Sequence, residues 1–148
     1  MLVANHLLGP SYVSVETALS YYGLIPERVY ETSSMTTKAS RSFNTAIGLF
    51  TYTRLPLPYY SFGLQALRLP SNQYAIVASP EKALCDKIVT TSGLALRGIR
   101  NAYNYLVDDM RIDESALKDL NTNMIQEWLS DAPKKDSLLM VVKMIEQL

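Results

Sequence analysis

The stretch RSFNTAIGLFTYTRL, Arg41 to Leu55, predicts two strands joined by a turn at Ala46-Ile47-Gly48. β-Branched and aromatic residues are frequent on both sides of that turn, as is typical of strands. A second hairpin is predicted downstream, where YYSFGLQALRL and YAIVA flank the turn signal PSNQ. Tyr59, Phe62 and Tyr74 are assigned to this second pair of strands.

A further strand, RVYETSSMTT, precedes the first hairpin. The whole region from residue 28 to residue 78 therefore predicts a sheet of four to five strands. The connections are too short to hold crossover helices, so we expect the sheet to be mostly antiparallel.

On the N-terminal side of the sheet, GPSYVSVETALSYYGLIPE (Gly9 to Glu27) predicts a short amphipathic helix. Ser14 is placed to cap its first turn, and Gly23 supplies the left-handed residue that ends many helices. Pro26 prevents the helix from continuing. Residues 1–27 are thus expected to form an initial helical part.

On the C-terminal side, residues 79–148 have helical spacing throughout. SPEKALCDKIV begins with Ser79 as a cap and Pro80 at the first helical position. About five helices are expected in this part, the last being KKDSLLMVVKMIEQL. The order helix, sheet, helices predicts an α+β fold, and 148 residues favour one domain, 1–148.

Composition narrows the functional classes. Fourteen basic and fourteen acidic residues balance, so no global charge indicates a nucleic acid or a membrane surface as partner. No apolar run reaches the roughly 18 residues that a membrane-spanning helix needs. MLVANHLLGP lacks the basic start of a secretory signal. We therefore expect a cytoplasmic protein with no membrane partner.

The common catalytic signatures are absent from the sequence. The six glycines form neither GxxxxGK[ST] nor GxGxxG, and there is no G-x-S-x-G. Metal-dependent nucleases commonly place a lysine two residues after a carboxylate. No lysine of this sequence has an acidic residue two positions before it. His6 and Cys85 are each the only residue of their type, which leaves too few ligands for zinc. We expect no catalytic residues, no metal and no cofactor.

One group of residues remains as a candidate binding face. Between Lys38 and Arg68 there are four basic residues and no acidic residue, and hydroxyl side chains lie among them. Arginine and hydroxyl donors suit phosphates or a partner's carboxylates. The alternative is a solvated sheet edge guarded by charges. The residues of this predicted face are Thr36, Thr37, Lys38, Ser40, Arg41, Tyr52, Arg54 and Arg68.

The last helix offers a second candidate surface. Leu138, Val141, Val142, Ile145 and Leu148 form one apolar stripe, and Met140 with Met144 forms a second line on another face. This second line predicts a docking or dimerisation interface.

Several segments together resemble one protein family. They are GPSYVSVETALSYYGLIPE, the strand region from TTKASR to TYTRLP, and YAIVASPEKALCDKI, in that order. This chain resembles the C-terminal domain of AbiEi-family antitoxins of type IV toxin–antitoxin systems over about residues 4–92. Family members usually carry an N-terminal winged helix that binds operator DNA. No part of this sequence matches that domain, so autorepression through it is not carried over.

The resemblance implies a bacterial, non-enzymatic antitoxin that neutralises a nucleotidyltransferase-type toxin encoded nearby. In such systems the antitoxin acts on a shared target rather than through a stable toxin complex. Two other functions stay open: a nucleic-acid-binding regulator of its own operon, and a module for protein interaction or dimerisation.

Overall fold

Six strands form one mixed sheet in a computed structural model that describes residues 1–148. The strands are β1 (Ser11–Val13), β2 (Thr32–Thr36), β3 (Arg41–Thr45), β4 (Gly48–Arg54), β5 (Leu64–Leu69) and β6 (Gln73–Ala78). Their order across the sheet is β3-β4-β2-β1-β6-β5. The predicted α+β class and the order helix, sheet, helices are confirmed. The strand count was low by one, because β1 was assigned to the initial helical part.

The two predicted hairpins are present as β3–β4 and β5–β6. The β1–β2 pair is also antiparallel, whereas β2–β4 and β1–β6 are parallel. Three of the five pairings are therefore antiparallel. The β2–β4 pairing is parallel because β4 inserts between β2 and β3. The β1–β6 pairing arises because β1 inserts between β2 and β6 and so joins the two hairpins into one sheet.

Strand β1 is the central joint of the sheet, yet it has only three residues, all buried. Such a short strand, buried on both faces, shows no alternation of apolar and polar residues, so its pattern gives no strand signal. It pairs with β6 only at Val13 and Val77. Beside it, Asn5 binds the main chain of Ile76 through both ends of its amide: Nδ2 to the carbonyl (3.2 Å) and Oδ1 to the N–H (2.8 Å).

The helices are α1 (Leu2–Leu7), α2 (Val15–Tyr21), α3 (Pro80–Thr90), α4 (Ile99–Tyr103), α5 (Glu114–Lys118), α6 (Thr122–Trp128) and α7 (Lys135–Glu146). Helix α4 continues as a wider, π-helical segment, Asn104–Asp109. None of these helices combines the length and the apolar character that crossing a bilayer requires. Helix α1, which carries Asn5, lay outside the predicted elements.

The end of α2 follows its prediction. Gly23 has φ +75°, its N–H donates to the Ser20 carbonyl (3.0 Å), and the Leu24 N–H donates to the Leu19 carbonyl (2.9 Å). These two bonds are the Schellman pattern that a left-handed glycine allows. Ser14 does stand at the N-cap position, but its side chain makes no capping bond.

Helix α3 begins as predicted, with Pro80 at its first position and the Ser79 Oγ accepting the Lys82 N–H (3.1 Å). Just before β5, Tyr59–Ser61 form a 3-10 turn, so the assignment of Tyr59 and Phe62 to a strand was wrong. Of the three aromatic residues predicted for this pair of strands, only Tyr74 lies in the sheet. Helices and sheet share one cluster of 34 buried apolar residues.

Candidate functional site

A group of basic side chains meets at the C-terminal end of β4. Because β2 and β3 lie on opposite sides of β4, the link of residues 37–40 must cross the end of β4 near Arg54. The register confirms this path: Thr36 on β2 and Arg41 on β3 pair with Arg54 and Tyr52 of β4. We call Lys38, Ser40, Arg41 and Arg54 the basic corner.

Hydrogen bonds hold the crossing link in place. The Thr36 hydroxyl donates to the Pro10 carbonyl (2.8 Å) and accepts the Lys38 N–H (3.2 Å). At the other end of the link, the Ser40 hydroxyl accepts the Arg54 N–H (2.9 Å). The position of each basic residue is therefore set by main-chain bonds, while its charged end remains free to meet a ligand.

The cations of the basic corner have no acidic partner. The two ion pairs of the chain are Lys87–Glu16 (3.1 Å) and Arg111–Glu27, both elsewhere. Lys38, Arg41 and Arg54 are exposed, and the Arg41 guanidinium stacks over the Phe43 ring at 4.4 Å. Exposed, unpaired arginine and lysine beside hydroxyl groups can bind phosphate or carboxylate oxygens.

The structure does not bring the whole predicted face together. Thr37 lies half-buried in the crossing link beside the basic corner. Thr36 and Tyr52 are buried, and Tyr52 donates its hydroxyl to the Ala4 carbonyl under α1. They shape the fold instead of offering contacts. Arg68 lies on β5, the opposite edge of the sheet, where it binds the Asn72 side chain.

The predicted methionine line on α7 is also divided. Met144 is 2% exposed and belongs to the core, because α4 packs against that side of α7. Only Met140 remains partly accessible, in an open groove lined by Leu94, Arg97 and Lys134. A docking line through both methionines is therefore corrected to a single half-buried side chain.

A buried polar network, which the sequence reasoning missed, surrounds Asp86 of α3. Its Oδ2 accepts the hydroxyls of Tyr12 and Ser14, each at 2.7 Å, and its Oδ1 accepts the Tyr59 hydroxyl at 2.8 Å. This explains why Ser14 does not cap α2. The spacing of Lys82 and Asp86, four residues apart, is typical of an exposed helical ion pair and gave no hint of burial.

Lys82 is the second buried charge of α3. Its Nζ donates to the carbonyls of Tyr59 (2.7 Å), Tyr60 (3.1 Å) and Phe62 (2.8 Å), so all three ammonium protons are used. The ammonium also lies 4.2 Å from the centre of the Tyr59 ring. Lys82 therefore fastens α3 to the 3-10 turn that precedes β5.

Burial shifts the pKa of both charged groups. It raises the pKa of Asp86, while the Lys82 charge and the three hydroxyl donors oppose that rise. It lowers the pKa of Lys82, against the attraction of Asp86. Because the three hydroxyls donate to Asp86 and all three Lys82 ammonium protons are donated to carbonyls, the network has no free donor directed at a ligand. It is a structural element that joins α3 to β1.

The network also links two segments that lie far apart in the sequence. Tyr12 and Ser14 come from GPSYVS, whereas Lys82 and Asp86 come from SPEKALCDK. Their side chains therefore have a common structural role, although about 70 residues separate them.

Glu81, directly before Lys82, and Cys85, directly before Asp86, have simpler roles. Glu81 accepts the Asn121 N–H (2.9 Å) and so fixes the start of α6. Cys85 is fully buried, and burial raises the pKa of its thiol. No three His, Cys, Asp or Glu side chains of the chain are grouped so that they could hold a metal ion.

No family model matches this chain, and no curated protein matches it either.

Proposed function

We propose that this chain is a non-enzymatic antitoxin domain that neutralises a nucleotidyltransferase-type toxin. The observation that carries the proposal is the ordered resemblance to AbiEi-family antitoxins over about residues 4–92, which spans the sheet and α3. The buried network of Tyr12, Ser14 and Asp86 supports it, because it joins two of the segments that carry the resemblance in one structural role.

The basic corner is the proposed binding surface of the antitoxin. Lys38, Arg41 and Arg54 offer exposed cations without acidic partners, held by a link whose main chain is hydrogen-bonded. Their target is then an anionic group, and the shared target of toxin and antitoxin is proposed to carry phosphates.

Co-expression with the toxin gene tests the proposal. In cells that express the neighbouring nucleotidyltransferase, wild-type protein should restore growth, and Lys38→Glu with Arg41→Glu should not. Lys118→Glu with Lys143→Glu is the matched control, because it reverses two exposed charges on α5 and α7. Circular dichroism must show all variants folded. Full rescue by Lys38→Glu with Arg41→Glu would rule out the basic corner as the binding surface. If the wild-type protein does not rescue growth, the proposed antitoxin function is wrong.

The same cations support a second candidate, a nucleic-acid-binding regulator. If the three cations neutralise phosphates of duplex DNA, the logarithm of the binding constant should fall with the logarithm of the salt concentration. The slope should be about −0.9 for each phosphate contact. Fluorescence anisotropy with labelled duplex and with tRNA, at several salt concentrations, separates the candidates. Binding that weakens with salt and is lost in Arg41→Glu supports the regulator, whereas no binding of either nucleic acid at low salt removes it.

A further inference from the structure

The outer edge of β5 carries a self-complementary row of unpaired main-chain groups. In the β5–β6 hairpin Leu64 pairs with Ala78, so Gly63 lies opposite Ser79, and the Ser79 N–H donates to the Gly63 carbonyl (2.8 Å). Directly opposite residues of an antiparallel pair alternate between bonded and non-bonded. The N–H and C=O groups of Leu64, Ala66 and Arg68 therefore point away from β6.

These six outward groups have no partner within the chain. No turn, loop or side chain forms a hydrogen bond with the main chain of Leu64, Ala66 or Arg68. No other element packs substantially against β5, which contacts its hairpin partner β6. An unpaired edge of this kind is a template for another strand.

We infer that β5 pairs with β5 of a second copy of this chain, antiparallel and centred on Ala66. In that register Ala66 faces Ala66 of the second copy, and Leu64 faces Arg68 in both directions. All six outward groups of each strand then find partners. A shift of two residues places Pro70 opposite Leu64, where it can offer no N–H, and leaves part of the row unpaired.

The side chains on one face fit the same register. Directly opposite residues share a face, so Tyr74 and Ile76 of β6 lie on the face of Arg68 and Ala66. Tyr74 is 55% exposed and Ile76 45% exposed. Across the two-fold axis, Ile76 and Ala66 of each copy form one apolar row, and each Arg68 lies opposite Leu64 instead of opposite another arginine.

The expected dimer is weak. Three paired residues on each side bury less surface than the roughly 1,600 Å² of a standard interface. We therefore expect a dissociation constant on the order of 1–100 µM. Sedimentation velocity over about that concentration range should show a reversible shift from monomer to dimer. A monomer throughout the range overturns the inference.

Substitution of Ala66 tests the surface. Ala66→Glu places two carboxylates opposite each other at the axis, and like charges in that position oppose pairing. The dissociation constant should rise about two- to fivefold. Asn44→Glu is the matched control, because Asn44 is exposed on β3, at the other edge of the sheet. A dimer that Ala66→Glu leaves unchanged uses a different surface, and that result overturns the inference.

Cysteine cross-linking tests the register. Opposite Cα atoms of a bonded antiparallel pair lie about 5.5 Å apart, within reach of a disulfide. Ala66→Cys should thus give a covalent dimer on mild oxidation. In Arg68→Cys the two thiols would be about 13 Å apart along the strands and should not bond. The native Cys85 is fully buried and does not compete. No cross-link through Ala66→Cys, or an equal one through Arg68→Cys, overturns the register.

Discussion

Lys82 and Asp86 lie one turn apart on α3, both buried, and each binds a different part of the fold. Asp86 accepts hydrogen bonds from three hydroxyls. They belong to Tyr12 of β1, to Ser14 directly after β1 and to Tyr59 of the 3-10 turn. Lys82 donates to three carbonyls of residues 59–62. The two charges attract each other across the helix turn and so partly offset the cost of burying them. Helix α3 is thereby the element that fixes the sheet to the helical part.

Asp86→Asn should destabilise the fold. An asparagine offers one acceptor oxygen in place of two and leaves the Lys82 charge without its anion, so we expect a loss of about 2–4 kcal/mol. Urea unfolding followed by circular dichroism measures the change. Asp119→Asn, at an exposed carboxylate, is the control and should cost less than about 0.5 kcal/mol. Equal effects of the two substitutions would contradict the role of the network.

Gly63→Ala should be more harmful than Gly93→Ala. Both glycines have left-handed φ, +66° and +77°. A Cβ at Gly63 would lie 2.7 Å from Trp128 Cη2 and 2.9 Å from Lys82 Cβ, whereas one at Gly93 meets nothing within 4 Å. Strain alone costs about 1–2 kcal/mol, and overpacking adds about 1–3 kcal/mol at Gly63 only. Comparable unfolding midpoints for the two variants would contradict the close approach of Trp128.

Ser34→Ala should leave stability unchanged or raise it by up to about 1 kcal/mol. The Ser34 hydroxyl is buried in β2 and has no hydrogen-bond partner, so its removal ends a desolvation cost. The neighbouring Ser33 is the control, because its Oγ accepts the Thr51 hydroxyl (3.3 Å). Ser33→Ala should lower the free energy of unfolding. Thermal melts of the two variants compare them, and a clear loss in Ser34→Ala would show that its hydroxyl is bonded.

Alkaline pH should weaken the fold. Burial raises the pKa of Tyr60 from 10.0 to about 12 and raises the pKa of Tyr12 and Tyr59 as well, with Asp86 adding to each. From about pH 10 upward the unfolded chain therefore ionises while the folded chain stays protonated, so the free energy of unfolding falls as pH rises. The lowered pKa of Lys82 acts in the opposite sense. Because three phenols act in one direction and one ammonium in the other, we expect the free energy of unfolding to fall on balance.

Urea unfolding between about pH 8 and pH 11 measures this slope. Tyr60→Phe removes one of the phenols but keeps the ring that lies 5.0 Å from Tyr12, so its slope should be shallower than that of the wild type. Tyr30→Phe, at an 84% exposed side chain, should keep the wild-type slope. A free energy of unfolding that stays constant or rises over this range would contradict the burial of these hydroxyls.

Local signals accounted for most of the fold. Gly23 and Ser79 ended and began helices where their chemistry indicates, and Ala46-Ile47 turned the first hairpin. The wrong predictions concern elements whose structure depends on tertiary contacts. Strand β1 has three residues and depends on two neighbours from distant parts of the chain, so no local pattern could reveal it. Tyr59 looks like a strand residue, but its hydroxyl is bound to Asp86 in a 3-10 turn.

The candidate site was predicted in part. Lys38, Arg41 and Arg54 could be grouped from the absence of nearby acids, and the crossing of the 37–40 link gave them a common location. Arg68 was grouped with them only through proximity in sequence, because strand order cannot be read from composition. The burial of Lys82 and Asp86 had no sequence signal, since a lysine and an aspartate four residues apart ordinarily face water.

The insertion of β1 between the two hairpins also sets a kinetic requirement. Val13 and Val77 are 64 positions apart (77 − 13), and the sheet becomes continuous only when they meet. Closing so long a loop costs entropy before any contact repays it, and folds with distant contacts form slowly. We expect Val13→Ala to slow refolding in stopped-flow experiments, whereas Val141→Ala in α7 should mainly speed unfolding. The smallest strand of the sheet would then govern how fast the molecule reaches its native state.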